Sequence, residues 1–254
     1  LPGTTVLCGD SHTCTHGGLG ALAWGIGTSE VAHVLATQTI IQRKPKCMRI
    51  IFDGILDCGV EPKDLILSVI GRLGAAAGDG YAIEYAGQAI QGMSIDERMT
   101  ICNLSIEMGA KIGMVAPDNT TFEYLAGRQF APRDEEWELA VEHWQTLPGD
   151  EDAQFDAEVM VDVAGVAPQV TWGTSPEHVI AIDGLVPDPA AEADSDKRRA
   201  MAAALEYTDL VPGTPLDGIP IDRVFIGSCT NSRLSDLRRA AELARGRRIA
   251  GNVR

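Results

Sequence analysis

The chain has 254 residues, of which 45% are hydrophobic and 5% aromatic, and its formal net charge is −15. This is enough apolar sequence for a buried core in one to three domains, while the negative charge argues against binding to nucleic acid or an anionic membrane, since both would be repelled. No apolar run approaches the roughly 18 residues of a membrane span, and the chain does not open on a basic region followed by an apolar one, so we expect a soluble cytoplasmic protein without a membrane partner.

Strand-like and helix-like segments alternate along the chain, which is the pattern of an α/β protein. Residues 48–52 predict a strand, and residues 62–73 predict a helix with proline in its first turn. Residues 94–97 form a capping-box sequence that predicts a further helix. This helix would carry both Asn103 and Glu107, and their spacing of four would place them on one face.

The second half of the chain predicts less regular structure. The acidic stretch 129–157 is interpreted as an inserted surface element. Residues 179–183 predict a strand, and residues 187–199 a polar connection. Residues 223–233 predict a strand that enters a loop, and this loop opens a helix from about residue 235 to residue 244.

The six cysteines include no C-x-x-C pair, which is typical of reduced thiols in a cytoplasm. Most, such as Cys47 beside a strand and Cys102 inside a helix, are expected to be small core residues. Cys229 is different because it lies just before a predicted helix, whose positive end favours a thiolate that could act as nucleophile or metal ligand. From residue 224 onward the net charge is +5, which allows a local anion site, although a solvated helix face explains most of these arginines.

A first group of candidate functional residues, Asp10, Ser11 and His12, follows an apolar strand-like segment. It places an acid and an imidazole at the end of a strand, where α/β proteins bind ligands. A capped turn is the structural alternative. A serine esterase with Ser11 as nucleophile is another, but it typically needs a partnered histidine and aspartate late in the chain, and the last histidine, His178, lacks that spacing.

Four sequence blocks together resemble the aconitase superfamily, in order across essentially the whole chain. They are GDSHTCTHGGLGALAWGIGTSE (9–30), AHVLATQT (32–39), MTICNLSIEMGAKIGMVAPD (99–118) and FIGSCTNSR (225–233). The T-H-G after D-S-H, the A-T-Q-T and the D-x-T-T after V-A-P resemble the 3-isopropylmalate dehydratase branch. Taken alone, each block has a structural explanation; their joint occurrence is far more specific.

The resemblance implies aconitase-type three-layer α/β domains with mixed or largely parallel sheets, incomplete at both ends. Residues 1–46 would end the first domain, 47–170 would form the second with its acidic insert, and 171–254 would begin the third. The family's other two cluster cysteines form a C-x-x-C pair further downstream, and this sequence contains none. We therefore expect an internal fragment that by itself holds no complete cluster and is inactive; recruitment of Cys8 or Cys14 as replacement ligands is a remote alternative.

The resemblance also implies a cofactor and roles for particular residues. In such enzymes three thiolates hold a 4Fe-4S cluster whose fourth iron acts as a Lewis acid on the substrate hydroxyl. Cys229 would be the first cluster thiolate. Asp10 and His12 would form the acid–base network, and Glu107 would bond solvent or hydroxide at the open iron. The remaining site residues would shape the surroundings of substrate and cluster: Ser11, Asn103, Ser228 and Asn231.

The implied reaction removes water from a 2-hydroxy dicarboxylate and adds it back on the neighbouring carbon, converting 2-isopropylmalate to 3-isopropylmalate in leucine biosynthesis. The implied partner is a small swivel-domain subunit that supplies a serine. Cys14 and Trp24 depart from the usual pattern of the branch and leave related hydro-lyases open, such as homoaconitase or a methylmalate or dimethylmalate dehydratase. A serine esterase using Ser11 and a non-catalytic remnant that only binds a partner are alternatives from other classes.

Overall fold

A computed structural model describes residues 1–150, 152–228 and 230–253. The chain divides into two compact units, Leu1–Val166 and Ala167–Arg254. The boundaries of three domains expected from the resemblance stay a prediction. No helix of the described ranges is long and apolar enough to cross a membrane.

The first unit is an α/β layer structure built on parallel strands. A four-stranded parallel sheet has the order β5-β4-β3-β6, and β1 pairs with β2 in a separate parallel ladder. The elements are, in chain order, β1 (Thr5–Cys8), β2 (Leu22–Gly25), α1 (Thr28–Thr37), β3 (Lys46–Asp53), α2 (Pro62–Leu73), β4 (Tyr81–Ala86), α3 (Gln88–Gln91), α4 (Ile95–Asn103), β5 (Ile112–Met114), α5 (Asn119–Leu125), α6 (Glu135–Trp144) and β6 (Ala157–Asp162). The predicted α/β class with largely parallel sheets is confirmed.

The main core lies between this sheet and the helices α2, α3 and α4. β3 alternates as a strand with one buried face should, and Met48, Ile50 and Phe52 point into the core. The apolar stripe of α2 meets them, and each fully buried aliphatic side chain there contributes about 1.5–3 kcal/mol relative to exposure. The predicted strand at 48–52 and helix at 62–73 are therefore confirmed. The expectation for Cys102 as a core residue holds, whereas Cys47 is exposed because it alternates away from the core side of β3.

α4 begins at the predicted capping box but ends earlier than expected. The Ser94 amide donates a hydrogen bond to Glu97 Oε2 at 2.7 Å, which caps the N-terminus of α4. After Asn103 the backbone tightens, and a short 3-10 helix, Ile106–Met108, ends at Gly109 with φ of +86°. The prediction that Asn103 and Glu107 share one helical face is wrong. The turn between them is fixed by a buried hydrogen bond of 2.8 Å between the hydroxyls of Ser105 and Tyr85.

The acidic stretch 129–157 is more regular than predicted, because it contains the helix α6. Acidic residues fill the first turn of α6, where the positive end of the helix dipole favours them. Trp144 is buried, with its ring stacked on Phe122 at a centroid distance of 6.0 Å and edge-on to Trp137 at 5.6 Å. The stretch therefore packs through its own aromatic cluster against α5, rather than lying irregularly on the surface.

The second unit contains an antiparallel hairpin and two longer helices. The hairpin pairs β7 (Gln169–Thr171) with β8 (Val179–Ala181), so the predicted strand at 179–183 is confirmed in a shorter form. The predicted polar connection at 187–199 is wrong from Ser195 onward, where α7 (Ser195–Thr208) begins. Asp194 caps α7 by accepting hydrogen bonds from the amides of Asp196 and Lys197 at 2.8 and 3.0 Å. Trp172, Val186, Ala204 and Leu205 form the small core of this unit.

The strand predicted at the start of residues 223–233 is not formed within the part of the chain that the structure describes. Val224, Phe225 and Ile226 are exposed, Phe225 by 90%, and no described strand pairs with them. A β-strand needs a neighbouring backbone to satisfy its amides and carbonyls, and that ladder is missing here. The helix expected from about residue 235 is confirmed as α8 (Leu234–Ala244).

A buried histidine makes the stability of the second unit depend on pH. His178 stacks on Trp172 at a centroid distance of 4.4 Å, and its Nδ1 accepts a hydrogen bond from the Thr174 amide at 3.2 Å. Burial lowers the pKa of His178 below its ordinary 6.5, so the folded unit holds the neutral ring. Its contribution to stability is complete above about pH 6.5 and decreases as the pH falls toward the lower folded-state pKa.

We expect faster hydrogen exchange in residues 169–181 as the pH is lowered from about 7.5 to about 5, after correction for intrinsic exchange rates. His178→Asn keeps an acceptor near the position of Nδ1 but does not titrate, so its protection should depend less on pH. Equal pH dependence in both proteins would contradict the assignment to His178.

Candidate active site

The candidate site is built at the end of β1, where Asp10 starts a 3-10 helix, Ser11–Leu19. Asp10 Oδ1 accepts a hydrogen bond from the His12 amide at 2.8 Å, and the Asp10 carbonyl accepts one from the Thr13 hydroxyl at 2.6 Å. Asp10 thus caps the helix, as the structural alternative expected. The cap also fixes the direction in which the next side chains leave the backbone.

His12 lies between two carboxylates. Its Nε2 is 3.4 Å from Glu107 Oε1, and its Nδ1 is 3.8 Å from Asp10 Oδ1 and 3.2 Å from the Ser11 hydroxyl. The side chains of His12, Glu107 and Asp10 are 26%, 36% and 67% exposed, so a dissolved small molecule can reach them. An imidazole flanked in this way can accept a proton from one side and pass it to the other.

The 3-10 helix reaches this position because glycines allow its backbone to approach other segments closely. A Cβ atom added at Gly17 would lie 1.8 Å from the carbonyl oxygen of Gly113 in β5. At Gly25, at the end of β2, an added Cβ would lie 2.5 Å from the carbonyl oxygen of Asp10. The glycines that follow D-S-H in the sequence therefore set how near His12 comes to the segment that carries Glu107.

Asn103 lies directly behind the His12 helix and is only 3% exposed. Its side-chain amide donates a hydrogen bond to the Thr15 hydroxyl at 2.8 Å. Its backbone carbonyl accepts one from the Cys14 thiol at 3.5 Å. Burial raises the pKa of Cys14 to about 11, so the thiol stays protonated and acts as a donor. Sequence reasoning missed both contacts, since nothing local in the 3-10 helix indicates a partner 88 residues away.

Ser228 and Asn231 lie in the second unit, in a compact turn. The Ser228 hydroxyl accepts hydrogen bonds from the amides of Thr230 and Asn231 at 3.2 and 3.0 Å. The Ser228 amide donates to the Asn231 carbonyl at 2.9 Å, and the Asn231 side chain donates to Asp236 at 3.5 Å. Cys229, which this turn brackets in sequence, is outside the described residues.

The described residues do not by themselves fit an iron–sulfur cluster. Among residues 1–150, 152–228 and 230–253, no three His, Cys, Asp or Glu side chains converge so that they could hold a metal ion. A cluster needs several thiolates, whereas burial raises the pKa of Cys102 well above its ordinary value and also keeps Cys14 protonated. In the metal-free protein both of these thiols are therefore protonated.

Comparison with known proteins adds the family. The family description for aconitase (aconitate hydratase) matches residues 1–254. The chain belongs to the aconitase family. It is also 64% identical over all 254 of its residues to 3-isopropylmalate dehydratase large subunit 1 of Bradyrhizobium diazoefficiens. The match covers 53% of that protein, so the chain spans about half the length of the curated relative it matches.

The contacts of His12 allow two chemical explanations of the site. The Ser11 hydroxyl contacts one nitrogen of the His12 ring and the Glu107 carboxylate lies near the other. This arrangement could suit a serine hydrolase. The same contacts also suit a network that transfers protons to and from a bound small molecule. The resemblance predicted from the ordered sequence blocks is confirmed.

The close approach at Gly17 can be tested by substitution. We expect Gly17→Ala to lower the free energy of unfolding by about 2 kcal/mol or more, because the new methyl group meets the Gly113 carbonyl. Gly165→Ala is the matched control: no atom of the described residues lies within 4 Å of its added Cβ, so its effect should be near zero. Urea-induced unfolding of both variants measures the difference, and equal stability would contradict the packing described.

Proposed function

We propose that this chain is part of the large, catalytic subunit of a 3-isopropylmalate dehydratase. The reaction would convert 2-isopropylmalate to 3-isopropylmalate by removing water and adding it back on the neighbouring carbon. The observation that carries the proposal is the His12 imidazole between two carboxylates, in a chain 64% identical to a protein of that name. The hydro-lyase chemistry of the aconitase family needs such a proton-transfer group beside the departing hydroxyl.

In this proposal His12 and Glu107 share one proton. The distance of 3.4 Å between Nε2 and Oε1 is longer than a tight hydrogen bond, as is common before substrate binds. Glu107 would exchange the proton with the substrate hydroxyl, and His12 would hold it between turnovers. Asp10, which fixes the His12 backbone by its capping bond, would orient the ring and stabilise its positive charge.

The proposed cofactor and partner rest on the sequence motif and on the relative's name. Cys229 would supply one thiolate of a 4Fe-4S cluster, and such a cluster supplies a Lewis acid for the hydroxyl when bound. Ser228 and Asn231 make the turn that holds the neighbours of Cys229. The partner would be a small swivel-domain subunit, because the curated relative is named a large subunit.

Related hydro-lyases that act on homocitrate, methylmalate or dimethylmalate are the runner-up. In the sequence, Cys14 and Trp24 left these related enzymes open, because both residues depart from the usual pattern of the 3-isopropylmalate dehydratase branch. Cys14 is fully buried against the Asn103 carbonyl, and Trp24 is 7% exposed in a cluster with Ile26 and Ile112. Since neither side chain faces the open side of His12, the two departures no longer favour a different substrate.

The acid–base roles are tested by neutral substitutions in the full-length large subunit assembled with its small subunit. We expect His12→Gln and Glu107→Gln each to lower kcat for 2-isopropylmalate by about 10²–10⁴-fold, because proton transfer at the hydroxyl is lost. His33→Gln on α1 and Glu142→Gln on α6 change exposed side chains of the same type and should leave kcat unchanged.

The assay also separates the competing functions. A wild-type complex that dehydrates homocitrate or a methylmalate but not 2-isopropylmalate would favour a related hydro-lyase. Ester hydrolysis by metal-free protein that is abolished by Ser11→Ala would favour the hydrolase and contradict the proposal.

The cluster assignment has an independent test in iron and sulfide analysis under anaerobic conditions. The full-length wild type should bind about four irons per chain, and Cys229→Ala should lose most of them. Cys58→Ala, which removes an exposed thiol of the first unit, is the control and should keep the iron. Iron content unaffected by Cys229→Ala would overturn the assignment of that thiolate.

A further inference from the structure

Hydrogen bonds through one hydroxyl join the segment that carries His12 to the segment that leads to Glu107. The Thr15 hydroxyl donates to the His12 carbonyl at 2.6 Å and accepts from the Asn103 side-chain amide at 2.8 Å. A hydroxyl has one proton to donate: the Thr15 hydroxyl donates it to the His12 carbonyl, while its oxygen accepts the hydrogen bond from the Asn103 side-chain amide. A single side chain therefore contacts both segments at once.

The segment on the Asn103 side of this connection makes further hydrogen bonds. Asn103 is the last residue of α4, and its backbone carbonyl accepts a hydrogen bond from the Cys14 thiol at 3.5 Å. Asn103 therefore donates one hydrogen bond to the 3-10 helix and accepts another from it. Beyond Asn103, the buried bond between Ser105 and Tyr85 fixes the turn that presents Glu107. The position of Glu107 is thus tied to the sheet, and Thr15 adds, to the Asp10 cap and the glycine contacts, a direct connection between the His12 backbone and the end of α4.

We propose that Thr15 is a positioning residue, which holds the His12 imidazole at the distance from Glu107 that proton transfer requires. This inference deepens the proposed function and rests on it for its purpose. Thr15 acts through the His12 backbone and the Asn103 amide, not by touching the reacting atoms. Without the hydroxyl, the His12 carbonyl loses its donor and the buried Asn103 amide loses this acceptor, a change costly enough to favour local rearrangement.

The substitution Thr15→Val removes the hydroxyl and keeps the shape, and Thr15→Ser keeps the hydroxyl. Thr121→Val is the matched control, because the Thr121 hydroxyl is buried and makes no hydrogen bond in the described part of the structure. It therefore controls for the general effect of replacing threonine with valine in this unit. Asn103→Ala, which removes the amide donor, replaces Thr15→Val should that variant not fold.

The first readout is the ¹⁵N resonance of His12 Nε2 in histidine-labelled protein, assigned with His12→Gln. In the wild-type background, Glu107→Gln should shift this resonance, because the two groups are 3.4 Å apart. In the Thr15→Val background we expect the response to fall by about half or more, as coupled residues show non-additive effects. Thr15→Ser should restore the response, and Thr121→Val should leave it intact. A full response in Thr15→Val would overturn the proposal.

The second readout is turnover by the full-length complex. Thr15→Val should lower kcat by about tenfold or more with little change in KM, and Thr15→Ser should recover most of it. A rise in KM at unchanged kcat would overturn the positioning role. A wild-type complex with no dehydratase activity would contradict the proposed function, while the resonance experiment would still decide whether Thr15 sets the pairing of His12 and Glu107.

Discussion

The arrangement of the first unit depends on the close backbone contact between the 3-10 helix Ser11–Leu19 and β5. The Gly113 carbonyl oxygen occupies the place where any other residue at position 17 would have its Cβ atom. The Val115 amide donates to the Gly17 carbonyl at 3.0 Å, so the contact is also a hydrogen bond between backbones. Because the helix lies directly on the strand, His12 comes within reach of a residue that is 95 positions later in the sequence.

An ion pair between a buried arginine and a partly exposed aspartate connects α4 with the segment after β5. The Arg98 side chain is fully buried and donates to both carboxylate oxygens of Asp118 at 2.7 Å, and to the Gln91 carbonyl at 3.2 Å. Burial alone would raise the pKa of Asp118, but the bonds and charge of Arg98 lower it. Asp118 also caps α5, so one carboxylate connects α4 with the helix after β5. Loss of Asp118 would leave the buried charge of Arg98 poorly compensated, and α4 would lose this connection.

The proposed chemistry uses few groups, and the surrounding contacts serve to place them. Asp10 both caps the 3-10 helix and lies beside His12, so one residue has a structural and a chemical use. Burial keeps the thiol of Cys14 protonated, so it can donate a hydrogen bond to the backbone carbonyl of Asn103 at the end of α4.

The sequence by itself determined what depends on neighbouring residues: the strand at 48–52, the helix Pro62–Leu73, the capping box at Ser94 and, through ordered motifs, the family. Only the tertiary structure decided where α4 ends, because the bond from Ser105 to Tyr85 joins residues 20 positions apart. Likewise, the sequence from residue 223 onward predicted a strand, but a strand forms only where another backbone pairs with it. The contacts of Cys14 and Thr15 with Asn103 could not be predicted either, since hydrogen bonds between distant segments leave no local pattern in the sequence.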